Sequence, residues 1–315
     1  MDTRVKQLET ELEENPLEPV FAQLESVILG KSDQLKLALT CLLARGHLLI
    51  EDVPGLGKTV LAHALGQALG LEYRRVQFTS DLLPGDIIGT SIYDRNSGQF
   101  HFNAGPVFTQ LLLADEVNRA TPKSQSALLE AMEERQVSVE GETRRLPEPF
   151  FVIATQNPVE QLGTFPLPES QLDRFLVRIE MGYPTRDAEF ELFRGEDRRK
   201  MLERIEPSIT IEQLMELQGQ VDEVQAADAV LDYLYSLLDY TRHSGLFQNG
   251  LSTRAGLGLL RAARAWALIH GESRLLPSDI QAVLPGVAGH RLQPLEGHMT
   301  PAQIGQRIIE AVPVD

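Results

Sequence analysis

The stretch Leu49-Ile50-Glu51-Asp52-Val53-Pro54-Gly55-Leu56-Gly57-Lys58-Thr59-Val60 sets a glycine-rich turn ending in Lys-Thr between an apolar run and an alanine- and leucine-rich segment. Gly55 and Gly57 can adopt φ > 0 and let backbone N–H groups face a phosphate, which then meets the positive end of the helix opening at Lys58. The residues from Pro54 through Leu56 to Val60 form the expected nucleotide-binding loop. Lys58 would reach β- and γ-phosphates, and the Thr59 hydroxyl would bind Mg²⁺. The full pattern wants glycine where this chain has Asp52, so the match is G-x-G-K-T with a substituted first position. Alone, it also reads as an ordinary strand-to-helix turn.

A second acidic site narrows the reading. Leu111-Leu112-Leu113-Ala114-Asp115-Glu116 is a short apolar run ending in two carboxylates. That is the pattern of a buried parallel strand whose C-terminal end faces the ligand crevice of an open α/β sheet. Asp115 would hold Mg²⁺ through water together with Thr59, and Glu116 would orient and deprotonate an attacking water.

The chain has 315 residues, 43% of them hydrophobic, enough for a sizeable core and more than the usual single domain, so two domains are expected. The one cysteine, Cys41, lies in the apolar helical stretch Leu35–Leu43 and excludes a disulfide framework or a thiolate metal cluster. The seven histidines lack metal-ligand spacing. No apolar run reaches bilayer length, and Met1–Pro19 is acidic and polar where a signal peptide is basic then apolar. The expectation is a cytoplasmic protein without stable membrane insertion. A formal charge of −16 makes nucleic acid a poor partner.

Along the chain, Val20–Gly46 reads as two helices leading into strand His47–Glu51. Helix Thr59–Leu69 and strand Tyr73–Thr79 follow the loop. Asp81–Phe108 holds two alternating stretches around Asn96-Ser97-Gly98, an inserted hairpin. After strand Leu111–Ala114 comes a helix from Pro122 to Arg135, a second hairpin over Val137–Leu146, and strands Phe150–Thr155 and Leu176–Ile179. Tyr183-Pro184-Thr185 marks a boundary, beyond which the pattern is helical. The expected division is residues 1–183, α/β, and 184–315, all-α. The acidic run Glu9–Glu14 reads as a solvated helix face, and the cluster Arg198-Arg199-Lys200, flanked by Glu196, Asp197 and Glu203, as a salt-bridged exposed helix.

Longer stretches carry a resemblance. Arg75-Val76-Gln77-Phe78-Thr79-Ser80-Asp81-Leu82-Leu83-Pro84, Leu113-Ala114-Asp115-Glu116-Val117-Asn118-Arg119-Ala120, Gln125-Ser126-Ala127-Leu128-Leu129-Glu130-Ala131-Met132 and Gln171-Leu172-Asp173-Arg174-Phe175 closely resemble the MoxR family of AAA+ ATPases. The likeness runs from about Gly30 to Arg291. It implies an AAA+ P-loop NTPase fold: a parallel sheet with helices on both faces and two inserted hairpins, then a smaller all-α lid. It also implies ATP as the nucleotide, with Mg²⁺.

The resemblance assigns further residues. Asn157 matches the family's first sensor, although Asn157-Pro158 alone would read as a turn starter. Arg254 sits in the first turn of a helix, where a cation opposes the macrodipole and an anion partner would explain it. It matches the second sensor, reaching from the helical domain to the γ-phosphate. Arg174 matches the arginine finger given to a neighbouring subunit, and Arg119 is a second candidate for that interface. His290-Arg291 matches a family feature read as packing.

Three functional readings follow. The resemblance implies a hexameric ring ATPase that remodels or activates a client protein, often with a von Willebrand A domain partner and in some members aiding metal or cofactor insertion. A nucleic-acid motor is the alternative from the hairpins, but these carry mixed charge (Glu140, Glu142, Arg144 and Arg145; Asp94, Arg95 and His101), whereas a strand-tracking loop is basic with aromatics. A nucleotide-gated scaffold is the third, and Glu116 argues against it.

Overall fold

The computed structural model describes residues 15–157, 164–195 and 198–314; the run Glu9–Glu14 lies outside them. Helices α1 (Glu18–Val27) and α2 (Ser32–Leu43) lead into β1 (Leu48–Glu51), followed by α3 (Lys58–Ala68) and β2 (Tyr73–Gln77). A short helix, α4 (Pro84–Ile88), precedes the first hairpin, β3 (Gly89–Asp94) and β4 (Gln99–Ala104). Then come β5 (Leu111–Asp115), α5 (Pro122–Glu134), the second hairpin β6 (Gln136–Val139) and β7 (Glu142–Arg145), and β8 (Phe151–Gln156). The turn α6 (Glu169–Leu172) and β9 (Val177–Ile179) close the α/β part.

Five of these strands form one parallel sheet in the order β2-β5-β8-β1-β9. A parallel sheet must be covered on both faces, which the side-chain alternation records. Leu48 and Ile50 of β1, Leu111 and Leu113 of β5, and Phe151 and Ile153 of β8 enter one apolar cluster with α2 and α3. Leu49, Leu112, Ala114, Val152 and Ala154 enter the other, with Leu128, Leu129, Ala131 and Met132 of α5. The expected helices on both faces are therefore present.

The remaining helices are α7 (Arg186–Arg194), α8 (Arg198–Leu202), α9 (Ile211–Glu223), α10 (Asp228–His243), α11 (Thr253–Ile269), α12 (Pro277–Ala288) and α13 (Pro301–Ala311). The apolar faces of α8 to α13 join the α2/α3 cluster. Cys41 is buried there, and burial pushes its thiol pKa up. No helix among the described residues is long and apolar enough to cross a membrane.

Both hairpins are antiparallel insertions outside the main sheet. The Arg144 guanidinium lies 4.1 Å from the Phe102 ring centroid and joins one hairpin to the other. Arg198 donates from Nη1 to the Ser26 carbonyl at 2.9 Å.

His47, just before β1, links two layers. The Val152 N–H donates to its Nδ1 at 3.0 Å, so Nε2–H donates to the Met132 carbonyl at 3.2 Å. The ring fits only when neutral, and burial lowers its pKa from 6.5 to about 4. A depressed folded-state pKa means stability that is complete above pH 6.5 and is lost as pH falls towards 4. At pH 5 this histidine alone should cost about 2 kcal/mol relative to pH 8. Urea titrations at the two pH values check this; equal midpoints would contradict it.

Candidate nucleotide-binding site

The ends of four strands converge on one cleft of about 420 Å³, lined by Pro54, Gly55, Gly57, Lys58, Thr59, Val60, Arg75, Gln77, Asp115, Glu116 and Asn157. β1 supplies the loop. Gly55 and Gly57 have φ of 88° and 85°, and a Cβ built on either would meet nothing within 4 Å. The backbone conformation demands glycine, and the space in front of the loop is open. Gly57 caps α3, so the first N–H groups of that helix join the loop. Lys58 is 7% exposed and donates from Nζ to the Asp52 carbonyl at 2.6 Å. Burial lowers its pKa, while Asp52, Asp115, Glu116 and Glu51 raise it.

β5 and β8 supply the acids and their supports. Thr155 Oγ1 donates to Asp115 Oδ1 at 2.6 Å and accepts the Glu116 N–H at 2.8 Å. One hydroxyl thus sets both carboxylates. Arg75 holds Asp115 Oδ2 from Nη2 at 2.7 Å and from Nε at 3.0 Å. Glu116 is left-handed, φ 56° and ψ 47°, a conformation costly for a residue with a Cβ and one that clusters at functional sites. Its Oε2 accepts from Gln77 Nε2 at 2.6 Å and Arg119 Nη1 at 2.9 Å, and its Oε1 from Asn157 Nδ2 at 3.1 Å. Asn157 is fixed in turn by Asn118, whose Nδ2 donates to the Asn157 carbonyl at 3.0 Å.

Arg75, Gln77 and Thr155 are the site residues that sequence reasoning did not single out. Gln77 ends β2 and Arg75 lies two residues before it, near the strand C-terminus beyond which ligands of open α/β sheets bind. Leu56 points away from this cleft into an adjoining recess of about 190 Å³. Val27, Ile28, Leu29, Val60, Met181, Pro184 and Leu192 make that recess mostly apolar, and Gly55, Gly57 and Val60 line both spaces. The recess has the apolar lining that suits a flat heterocycle, and it adjoins the cleft.

Arg174 and Arg254 do not line the cleft. Both pair with Glu133 near the end of α5: Arg174 Nη2 lies 2.9 Å from Oε2 and Arg254 Nη1 lies 2.9 Å from Oε1. The structure thus gathers the two arginines on one carboxylate. Arg291 fixes the turn carrying Arg174. It is buried and donates to Asp173 Oδ1 at 2.7 Å and to the Phe175 carbonyl at 2.6 Å.

The open loop and the convergent Lys58, Thr59 and Asp115 fit a nucleoside triphosphate with a divalent cation: backbone N–H groups and an ammonium for phosphate, a hydroxyl and a carboxylate for the metal.

Comparison with known proteins agrees. Residues 47–177 match the model of the ATPase family associated with various cellular activities (AAA), and residues 239–311 match an AAA lid domain. The chain is 46% identical to the uncharacterized protein YeaC of Bacillus subtilis over 84% of its own length and 83% of that protein. It is 38% identical to chaperone MoxR1 of Mycobacterium tuberculosis over 95% and 82%. The crystal structure of a Cytophaga hutchinsonii protein assigned as an ATPase superposes with a TM-score of 0.87 at 34% identity, covering 99% of each chain.

Thr155 gives a test specific to this geometry. Thr155→Val keeps the shape of the side chain but removes its bonds to Asp115 and Glu116. A hydrogen bond to a charged group is worth about 1.5–3 kcal/mol, so ATP turnover should fall roughly 10- to 100-fold, and Thr155→Ser should restore most of it. Unchanged turnover in Thr155→Val would remove the hydroxyl from the site.

Proposed function

Because the chain belongs to the MoxR family of AAA+ ATPases, we propose that it hydrolyses ATP at interfaces between subunits of a cytoplasmic ring, most simply a hexamer, and uses the cycle to remodel or activate a client protein. The observation that carries this reading is the division of the charged groups: a cleft with Lys58, Asp115 and Glu116 on one side of the chain, and two arginines held together on Glu133 elsewhere.

In this reading the loop N–H groups and Lys58 hold the β- and γ-phosphates. Thr59, and Asp115 through water, hold Mg²⁺, which when bound supplies charge neutralisation for the phosphates. Asn157 and Glu116 position the attacking water, and Glu116 takes its proton. The three bonds on Glu116 keep its carboxylate aimed at the cleft. Arg174 stabilises the charge that develops on the neighbour's γ-phosphate. The common anchor on Glu133 supports Arg254 arriving with Arg174 at that neighbouring site. Arg119 is occupied by Glu116 in its own chain and is the weaker candidate for this task.

The domain boundary at residues 183/184 belongs to the same proposal, with hydrolysis turning the lid about Tyr183–Thr185. Client contact fits the first hairpin, which exposes Ile92, Tyr93 and Phe100, with Phe100 69% exposed. A von Willebrand A domain partner and a role in metal or cofactor insertion are the finer expectations for the client. Nucleic acid fits poorly, since Arg144 is taken by Phe102 and Glu142.

Glu116→Gln should bind ATP and hydrolyse it at least ~10²-fold more slowly; near-normal turnover would contradict the general-base role. Lys58→Ala should lose ATP binding. An equal mixture of Arg174→Ala and Arg254→Ala subunits distinguishes the two placements of Arg254. If both arginines act on the neighbour, no interface in the mixture is complete and activity stays low. Recovery would return Arg254 to the nucleotide of its own chain. Single-stranded DNA or RNA should not stimulate turnover at physiological salt; stimulation that falls steeply with added salt would favour a nucleic-acid motor.

A further inference from the structure

Asp52 stands where the usual phosphate loop has glycine, yet nothing in the backbone asks for glycine there. Among the described residues it is not one of those with positive φ. Its side chain is therefore available for another task. Carboxylate Oδ1 accepts the Val53 N–H at 2.9 Å, and Oδ2 accepts the Gly182 N–H at 2.6 Å. Its main-chain carbonyl accepts from Lys58 Nζ at 2.6 Å. One residue thus touches both the lysine of the phosphate loop and the segment that joins β9 to α7.

That segment is held from a second side. Lys31 Nζ donates to the Tyr183 carbonyl at 2.8 Å, and the charge of Asp52 acts on Lys31. Consecutive residues of the connection are therefore gripped at an N–H by a carboxylate and at a C=O by an ammonium. Gly182 sits at φ 61°, so the chain turns where it is gripped. Met181, Gly182 and Pro184 also wall the apolar recess, opposite Leu56 of the loop. A shift of the loop relative to Gly182 changes the recess wall and the start of α7 together.

We propose that Asp52 is a positioning residue that couples the phosphate loop to the connection between the α/β domain and the lid, so that the state of the nucleotide is transmitted to the lid through the Asp52–Gly182 hydrogen bond. This rests on the reading of the cleft as an ATP site and adds the route by which that site moves the lid. The carboxylate is what matters: as a charged acceptor it makes the stronger kind of hydrogen bond.

The test is hydrogen exchange of the peptide covering 181–186, with and without ATP, in the full chain and in Asp52→Gly and Asp52→Asn, alongside kcat and KM. Glycine restores the usual loop residue and removes the carboxylate. Asparagine keeps the size and one carbonyl acceptor. In Asp52→Gly, exchange at 181–186 should be roughly tenfold faster, the difference made by ATP should shrink, and kcat should fall about tenfold with KM within about threefold. Asp52→Asn should lie between Asp52→Gly and the parent in each measure. It carries the test if the glycine variant does not fold, with a kcat about threefold below the parent and a weakened ATP response as the expected result. Parent-like exchange and an undiminished ATP response overturn the proposal. So does a raised KM with unchanged kcat, which would make Asp52 only a part of the loop. If the parent chain itself fails to bind ATP, the ATP-site reading falls and this coupling with it.

Discussion

The site depends on strand order. With β8 between β1 and β5, the loop that follows β1 and the acids that end β5 are held one strand apart, and the groups that end β8 fill the gap. Thr155 is the consequence: its hydroxyl sits between Asp115 and the Glu116 N–H, and the next residue but one, Asn157, reaches Glu116 Oε1. Register makes this possible, because Leu111–Ala114 and Phe151–Ala154 run in parallel and in step. A slip of one residue would turn every side chain to the other face of the sheet.

Charge is arranged in two groups by the same framework. One lies in the cleft, where Lys58 and Arg75 face Asp115, Glu116 and the Asp52 carbonyl. The other is the Arg174–Glu133–Arg254 cluster, which joins α5, the turn before β9 and the first turn of α11. Arg291 makes the second group rigid by tying the Arg174 turn to α12 through Asp173 and the carbonyls of Phe175 and Val287. Arg174 and Arg254, with side chains 28% and 57% exposed, share the one carboxylate of Glu133.

The fold was legible because its signals are local. A glycine-rich turn, buried four- to six-residue apolar strands and helical periodicity beyond Tyr183 are properties of short windows, and the structure places strands and helices within a few residues of those windows. Within the site, Lys58, Thr59, Asp115, Glu116 and Asn157 could be read from loop spacing, strand ends and resemblance, and they share one cleft. Arg75, Gln77 and Thr155 were not, because their importance lies in partners 39 or 40 positions away, such as Arg75 with Asp115, that only strand order brings close. Arg254 shows the reverse limit. Sequence marks it as a cation in need of an anion, and the structure supplies Glu133, 121 positions away on another element.

The sharpest measurement is the ATPase rate of an equal mixture of Arg174→Ala and Glu116→Gln subunits, after labelled protein has shown that subunits exchange. If hydrolysis occurs between subunits, each variant alone is nearly inactive, because a general base contributes roughly 10²–10⁴ and an arginine finger roughly 10³–10⁵ in rate. In the mixture an Arg174→Ala subunit offers an intact cleft to the intact arginines of a Glu116→Gln subunit, at about one interface in four for random closed rings. Activity should return to that order. Subunits that exchange freely and stay inactive would contradict a site completed by the neighbour.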